Sequence, residues 1–181
     1  MKKLTKITLI TFISLAITGA SFTWWQISTQ LSDNKPCLFC NHQILETHRF
    51  YEDNLVMGLC NHKPIQPGHC MAVTKRHIER FDEITNEEFL AIGRLLKKTN
   101  LAVQKIYGPS AYIIHQKNGA AVGQTVPHVH FHYIPKKKTK HKKIAIFGLL
   151  WSFVANIFKS PISMSKLREN VILMKRELTH L

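Results

Sequence analysis

Three histidines alternate with apolar residues in the segment 127–134, which reads PHVHFHYI. Side chains of a strand alternate between the two faces of a sheet, so His128, His130 and His132 are expected on one face. The apolar residues between them then face a core. Three charged imidazoles at this spacing would repel one another, so a site must hold each ring in a defined tautomer. The pattern favours nucleophilic chemistry; a metal-binding strand and an incidental histidine-rich stretch are the alternatives.

Strand-forming stretches lie on both sides of one long helical pattern. Thr85 and Glu88 form a capping box, apolar residues follow at helical spacing to about Tyr107, and Gly108-Pro109 ends the helix. The expected buried face of this helix is Phe89, Ile92, Leu96, Val103 and Ile106. The β-rich stretches are Leu55–Cys60, Cys70–Thr74, Tyr112–Gln116 and Val129–Ile134. This order predicts an α+β fold with an antiparallel sheet and one long helix.

The formal charge of +14 is concentrated in the two flanks of the chain. Residues 32–135 carry 11 basic and nine acidic side chains, whereas the segment 136–143 alone carries six lysines. Residues 1–31 carry three lysines and no acid. This distribution argues against a basic surface that wraps nucleic acid and favours flanks of the membrane type.

An uncharged run of 19 residues, 7–25, follows Lys2, Lys3 and Lys6. As a helix it reaches about 28 Å, close to the hydrocarbon thickness of about 30 Å. Trp24 and Trp25 close the run, as aromatic residues do at a lipid boundary. We expect a retained membrane anchor; a signal peptide cleaved before Ser21 is the alternative.

A second uncharged run, residues 144–158, follows the lysine-rich segment. Its 15 residues are too few for a comfortable span, so an interfacial or re-entrant helix is expected, with a helix docked on the domain as the alternative. Residues 163–181 predict a further helix whose packing stripe is Leu167, Val171, Met174 and Leu178.

Three segments therefore organise the chain: an anchor helix at 1–31, a catalytic domain at 32–135, and a basic run with amphipathic or interfacial C-terminal helices at 136–181. Membrane contact is expected through 7–25 and 136–158. The N-terminal lysines place the domain outside the cytoplasm, whereas the run 136–143 prefers the cytoplasmic leaflet. The side of the membrane stays open; in a bacterium it would be the inner membrane.

The segment 118–126 (NGAAVGQTV) is rich in small residues just before the histidine strand. Small residues let a backbone approach a ligand, and successive amides can cradle a phosphate. Gln124 and Thr125 add side-chain donors.

Together these motifs resemble the histidine triad family across about Cys37 to Pro135. The resemblance rests on the segments 123–132 (GQTVPHVHFH), 61–69 (NHKPIQPGH) and 74–77 (TKRH). The second segment and 78–81 (IERF) look most like the fragile histidine triad branch, which hydrolyses dinucleoside polyphosphates. The opening 37–40 (CLFC) looks like the zinc-containing bacterial members.

The resemblance implies a histidine triad fold and an attack on the α-phosphate of a nucleotide. The middle histidine, His130, would form a nucleotidyl-imidazole intermediate, which divides one hard displacement into two easier steps. His132 would donate to a phosphate oxygen, and His128 is the first member of the triad.

The resemblance also assigns substrate contacts. Asn61 matches the position that holds the ribose hydroxyls, His69 would support the triad, and Gln124 and Thr125 would bind phosphate. Lys117 departs from the family, which usually has Asn or Gln there. It would bind a phosphate chain as a point charge, so we expect it to favour a more highly charged leaving group.

Cys37 and Cys40 form a Cys-x-x-Cys half-site for zinc. In zinc-bearing family members the remaining ligands match His77 and His128, so the resemblance implies a structural zinc ion. In an oxidising compartment the two cysteines would instead pair as a disulfide.

The leading interpretation is a membrane-anchored hydrolase or transferase of nucleotides, acting on dinucleoside polyphosphates or nucleoside phosphoramidates. A pyrophosphatase of a nucleotide-activated lipid such as CDP-diacylglycerol and a non-catalytic nucleotide-binding protein are the alternatives. The family resemblance also implies a homodimer through the helix and the sheet edge. His42, His48, His62 and His115 are expected to be surface or structural residues.

Overall fold

The described residues include a five-stranded antiparallel sheet and three α-helices with defined bounds. The computed structural model describes residues 36–137, 148, 151, 154–156 and 158–180. The strands are β1 (Arg49–Glu52), β2 (Val56–Cys60), β3 (Cys70–Thr74), β4 (Ser110–His115) and β5 (His130–Lys137), in the order β1-β2-β3-β5-β4. The helices are α1 (His42–His48), α2 (Asn86–Tyr107) and α3 (Met164–Thr179). The predicted α+β class with an antiparallel sheet and one long helix is confirmed.

The capping box predicted for α2 is formed. The Thr85 hydroxyl accepts a hydrogen bond from the Glu88 amide at 3.2 Å, and the Glu88 carboxylate accepts one from the Thr85 amide at 2.9 Å. Arg76 also donates to this carboxylate, and its guanidinium lowers the pKa of Glu88. Gly108 ends the helix with φ of +85°, a conformation that glycine adopts without strain.

One helix residue departs from the predicted core. Ile92, Leu96 and Val103 are buried as expected, but the Phe89 side chain is half exposed. Its turn of the helix buries the neighbouring Glu88 instead, and the Phe89 ring packs edge to face against Phe81 at 5.8 Å. Glu88, in its ion pair with Arg76, therefore occupies a buried position where the helical periodicity predicts an apolar residue.

The central strands β2 and β3 are buried on both faces along their whole length. On one face α2 and α3 cover the sheet, and α3 contributes the predicted packing residues Leu167, Val171 and Met174, with Leu178 partly buried against them. On the other face lies a second, smaller apolar cluster, formed by Phe39, Met57, Leu59, Met71, Val73 and Val126. That second face carries the candidate site.

The predicted membrane segments lie largely beyond the part of the chain that the structure describes. The run 7–25 and most of the lysine segment 136–143 are outside the described residues. In the second uncharged run, the described positions are helical, and the side chains of Trp151, Val154 and Phe158 are 63%, 49% and 86% exposed. None of the helices within the described ranges is long and apolar enough to cross a bilayer.

Candidate active site

Strand β5 carries His130 and His132 inside the sheet, where it pairs with β3 on one side and β4 on the other, and His128 lies two residues before its first residue. His132 pairs with Met71 of β3 and with His115 of β4. The rings of His130 and His132 lie with their centroids 4.9 Å apart. The apolar residues between the histidines are buried, as the alternation predicts.

The backbone holds the ring of His130. Its Nδ1 donates to the carbonyl oxygen of His128 at 2.6 Å. A carbonyl only accepts, so the ring proton is on Nδ1 and Nε2 keeps its lone pair. Burial lowers the pKa of His130, and the charge of Lys117 adds to the effect. His130 is therefore neutral at pH 7, the form in which imidazole is a nucleophile.

Two hydrogen bonds in series give His132 the opposite tautomer. The amide of Ile65 donates to Nδ1 of His69 at 3.2 Å, so the neutral ring of His69 carries its proton on Nε2. This Nε2 donates to Nδ1 of His132 at 2.9 Å. The proton of His132 is then on Nε2, so His132 presents a donor where His130 presents a lone pair.

Both rings of this series are neutral. Burial lowers the pKa of His69 to about 3, with a smaller effect from His115. Burial, followed by the charges of His69 and other neighbours, lowers the pKa of His132 to about 2. The hydrogen-bond directions therefore hold throughout the neutral pH range.

Lys117 lies beside the two imidazoles, across the loop 119–125. Its ammonium donates to the carbonyl of Gly123 at 3.4 Å. Gly123 has φ of +82°, and a Cβ there would lie 3.1 Å from Nζ of Lys117. The glycine therefore permits both the turn and the close approach of the ammonium.

Gln124 holds this loop together through both ends of its amide. Its Oε1 accepts from the amide of Gly119, and its Nε2 donates to the carbonyl of Glu79 at 2.9 Å. Thr125, in contrast, lines the pocket. These two bonds use one of the two Nε2–H donors of Gln124, so the expected phosphate contact would fall to the other N–H.

A pocket of about 360 Å³ extends from the imidazoles across the sheet. Its size suits a small ligand, and most of its walls are apolar. The lining consists of Leu38, Phe39, Ile44, His48, Leu59, Asn61, His62, Met71, Thr125, Val126, His130 and His132.

The four predicted metal ligands Cys37, Cys40, His77 and His128 come together next to the triad, with their ligand atoms all within 4.8 Å of one another. Nδ1 of His128 lies 3.3 Å from Sγ of Cys37, 3.7 Å from Sγ of Cys40 and 3.4 Å from Nδ1 of His77. Sγ of Cys40 lies 3.5 Å from Nδ1 of His77. Among the described residues all the cysteines are free thiols.

The donor set fits a tetrahedral ion. Zinc bonds of about 2.3 Å to sulfur and about 2.0 Å to nitrogen give ligand-to-ligand edges of about 3.3–3.8 Å, which the observed distances match. Nε2 of His128 donates to the carbonyl of Thr74 at 2.8 Å, so Nδ1 turns its lone pair toward the cluster. These residues can therefore hold a metal.

Sequence reasoning missed several contacts at the site. The ring of His115 stacks on His132 at 4.6 Å, and that of Phe39 packs against His130 at 5.2 Å. His48 and His62 line the pocket, although a surface or structural role was expected for them and for His115. The contact of His115 depends on the register between β4 and β5, and the other placements depend on α1 and the loop after β2, so no local sequence pattern indicated them.

The chain is similar in sequence to known enzymes. The chain is 37% identical over 89 residues to the asymmetrical bis(5′-nucleosyl)-tetraphosphatase of Schizosaccharomyces pombe, covering 49% of each chain. It is 33% identical over 95 residues to the bis(5′-adenosyl)-triphosphatase of Dictyostelium discoideum, covering 52% of this chain and 64% of that enzyme. The chain thus spans about half to two thirds of the length of these relatives.

Solved structures share the fold. The diadenosine triphosphate hydrolase of Plasmodium falciparum superposes with a TM-score of 0.59 at 22% identity, covering 75% of this chain and 78% of that one. A zinc-bound histidine triad family protein from Mycobacterium smegmatis gives 0.52 at 19% identity, covering 85% and 92%. The profile of the HIT (histidine triad) domain matches residues 43–139, more than half of the chain. The chain therefore belongs to the HIT domain family.

Proposed function

We propose that this chain is a membrane-anchored nucleotide hydrolase or transferase that attacks an α-phosphate through a nucleotidyl intermediate on His130. The observation that carries the proposal is the lone pair on Nε2 of His130, kept free by the bond from Nδ1 to the His128 carbonyl. Relatives named as hydrolases of dinucleoside polyphosphates, together with an adenosine 5′-monophosphoramidase of Schizosaccharomyces pombe, support these two substrate classes.

The reaction has two balanced steps. Nε2 of His130 uses its lone pair to form a bond to the α-phosphorus, and the bond from that phosphorus to the bridging oxygen or nitrogen breaks. The leaving group departs with the electron pair, and a nitrogen leaving group takes up a proton from solvent so that it leaves as a neutral amine. A water or another acceptor then forms a bond to phosphorus, its proton is lost to solvent, and the N–P bond breaks to restore the Nε2 lone pair.

Neighbouring groups steady the charge that develops on phosphate. Nε2–H of His132 provides a donor in a buried setting, where hydrogen bonds to charge are strong. The ammonium of Lys117 provides a positive charge that acts on the rings of His130 and His132. The apolar walls and Asn61 would hold the nucleoside, with Asn61 on the ribose.

We also propose that zinc occupies the cluster of Cys37, Cys40, His77 and His128. The edges of the cluster and the orientation of His128 support a tetrahedral ion. When bound, the ion would act as a structural link between the N-terminal segment and the triad. The chemistry at phosphorus is left to His130 and His132.

Membrane anchoring is proposed from the uncharged run 7–25 with its preceding lysines, and from the second run after the lysine segment. The exposed side chains of Trp151, Val154 and Phe158 support an interfacial position for the second run. A homodimer is proposed through α2 and the edge strand β4, where Leu101, Tyr112 and Ile114 are exposed.

His130→Ala should lower kcat for diadenosine tetraphosphate and adenosine 5′-phosphoramidate by about a thousandfold or more, because the attacking atom is removed. Steady-state assays of the full chain measure this, with the exposed His180→Ala as the matched control. Acid-labile nucleotide on the peptide that contains His130, found by mass spectrometry of quenched reactions, would confirm the intermediate.

Full activity of the His130 variant would refute the mechanism. Turnover of CDP-diacylglycerol alone would refute the proposed substrates and favour the nucleotide-lipid alternative. Nucleotide binding without turnover of any substrate would favour the alternative of a non-catalytic nucleotide-binding protein.

Lys117→Gln should reduce the kcat/KM ratio of diadenosine tetraphosphate to adenosine phosphoramidate about tenfold, because one positive charge near the leaving group is lost. Lys175→Gln, which removes an exposed charge on α3, is the control. An unchanged ratio would show that Lys117 does not discriminate between leaving groups by their charge.

Metal analysis of the purified chain should give one zinc per chain. The double variant Cys37→Ser, Cys40→Ser should lose the zinc and melt about 5–10 °C lower, because metal binding contributes folding free energy. Cys60→Ala, which removes a thiol outside the cluster, should retain it. Purified chain without zinc would contradict the proposal.

The full chain should stay in the membrane pellet after carbonate extraction. Leu15→Lys with Ile17→Lys should release it, since each lysine costs about 3 kcal/mol at the centre of a span. Ser28→Lys with Gln30→Lys adds the same charge after the run and should leave the chain in the pellet. Release of the unmodified chain would rule out the anchor.

A further inference from the structure

Two imidazoles lie in the pocket without a part in the proposed chemistry. His48 and His62 both contribute to the lining, and their rings meet edge to face with centroids 5.8 Å apart. They form a pair separate from His130 and His132.

The strand register places this pair at the far end of the pocket. His132 pairs with Met71 of β3, Met71 with Leu59 of β2, and Leu59 with Arg49 of β1. His48 directly precedes Arg49. Neighbouring strands lie about 4.8 Å apart, so three steps separate the backbone of His132 from that of Arg49, the neighbour of His48, by about 14 Å. This span suits a nucleotide that has its phosphate at the triad and its base at the pair.

A backbone group fixes the tautomer of His48. Its Nδ1 donates to the carbonyl of Ile44 at 2.8 Å, which leaves the lone pair on Nε2. Burial lowers the pKa of His48, so the ring is neutral at pH 7. His48 therefore offers the pocket a hydrogen-bond acceptor.

The loop of His62 is tied to the segment that precedes α3. The carbonyl of His62 accepts from the amide of Ile162 at 2.8 Å, and the carbonyl of Pro64 accepts from Nζ of Lys159 at 3.0 Å. These bonds give the exposed His62 a fixed backbone, from which its ring can pack against a flat ligand.

We propose that His48 and His62 read the nucleobase, with Nε2 of His48 selecting a base that carries an exocyclic amino group over its keto counterpart. This inference rests on the proposed nucleotide function. The 6-amino group of adenine can donate to Nε2, whereas the 6-keto oxygen of hypoxanthine presents a second acceptor and leaves Nε2 unpaired. The ring of His62 supplies a stacking surface for either base.

Equilibrium binding of AMP and IMP to the full chain, measured by calorimetry, tests the proposal without depending on turnover. We expect AMP to bind about tenfold more tightly than IMP, as expected for one unpaired buried acceptor. His48→Phe keeps a planar ring but removes the acceptor, so the two affinities should become equal. His42→Phe, an exposed residue on the same helix, should keep the preference. His62→Ala should weaken both ligands without changing their ratio.

The outcomes distinguish a failure of the base-recognition proposal from a failure of the proposed nucleotide function. Equal affinities in the unmodified chain, or an unchanged ratio in H48F, would overturn the inference and leave the hydrolase proposal standing. An unchanged AMP affinity in H62A would overturn the role of His62. Binding of neither nucleotide would overturn the nucleotide function itself.

A measurement on the unmodified chain covers the case in which H48F does not fold. In ¹⁵N spectra of labelled histidine, AMP should shift the Nε2 resonance of His48 toward that of a hydrogen-bonded acceptor, and IMP should not. A resonance that AMP leaves in place would overturn the proposal.

Discussion

The site depends on backbone groups that decide where each imidazole carries its proton. Carbonyl oxygens of His128 and Thr74 fix the rings of His130 and His128, and the amide of Ile65 fixes His69 and, through it, His132. Burial keeps these rings neutral, so each one presents a single donor and a single acceptor in a set direction. Because these backbone partners belong to the strands and loops of the sheet, the fold itself sets the tautomer of each ring.

The two faces of the sheet have different roles: one packs against the larger core, and the other carries the candidate site. One face is covered by α2 and α3, whose apolar residues form the larger core. The other face carries a small apolar cluster around Phe39 and Met71 and is left partly open as the pocket. The apolar central strands β2 and β3 serve both faces, which explains why neither strand shows an alternating pattern.

Much of this arrangement follows from local sequence rules. Strict alternation located β5, and the Thr85 capping box located the start of α2. Of the metal cluster, the residues alone indicated the Cys37–Cys40 half-site, and the family resemblance supplied His77 and His128. The short elements α1 and β1 were not predicted, since seven and four residues with several charges carry too little periodicity. The contacts of His115 and His48 depend on the pairing of distant segments, which no local pattern encodes. At Phe89 the local pattern itself gave the wrong answer. Periodicity predicts a buried Phe89, but the neighbouring Glu88 is buried in its ion pair with Arg76 and the Phe89 side chain is half exposed.

His128 belongs to two centres at once. Its ring faces the thiols of Cys37 and Cys40, while its carbonyl accepts the Nδ1 proton of His130. A rotation of the peptide group that carries this carbonyl would break the bond and let the His130 ring switch tautomers, so that Nε2 would lose the lone pair on which the proposed attack depends. The geometry of the metal-ligand cluster and the tautomer of His130 are therefore coupled through one residue.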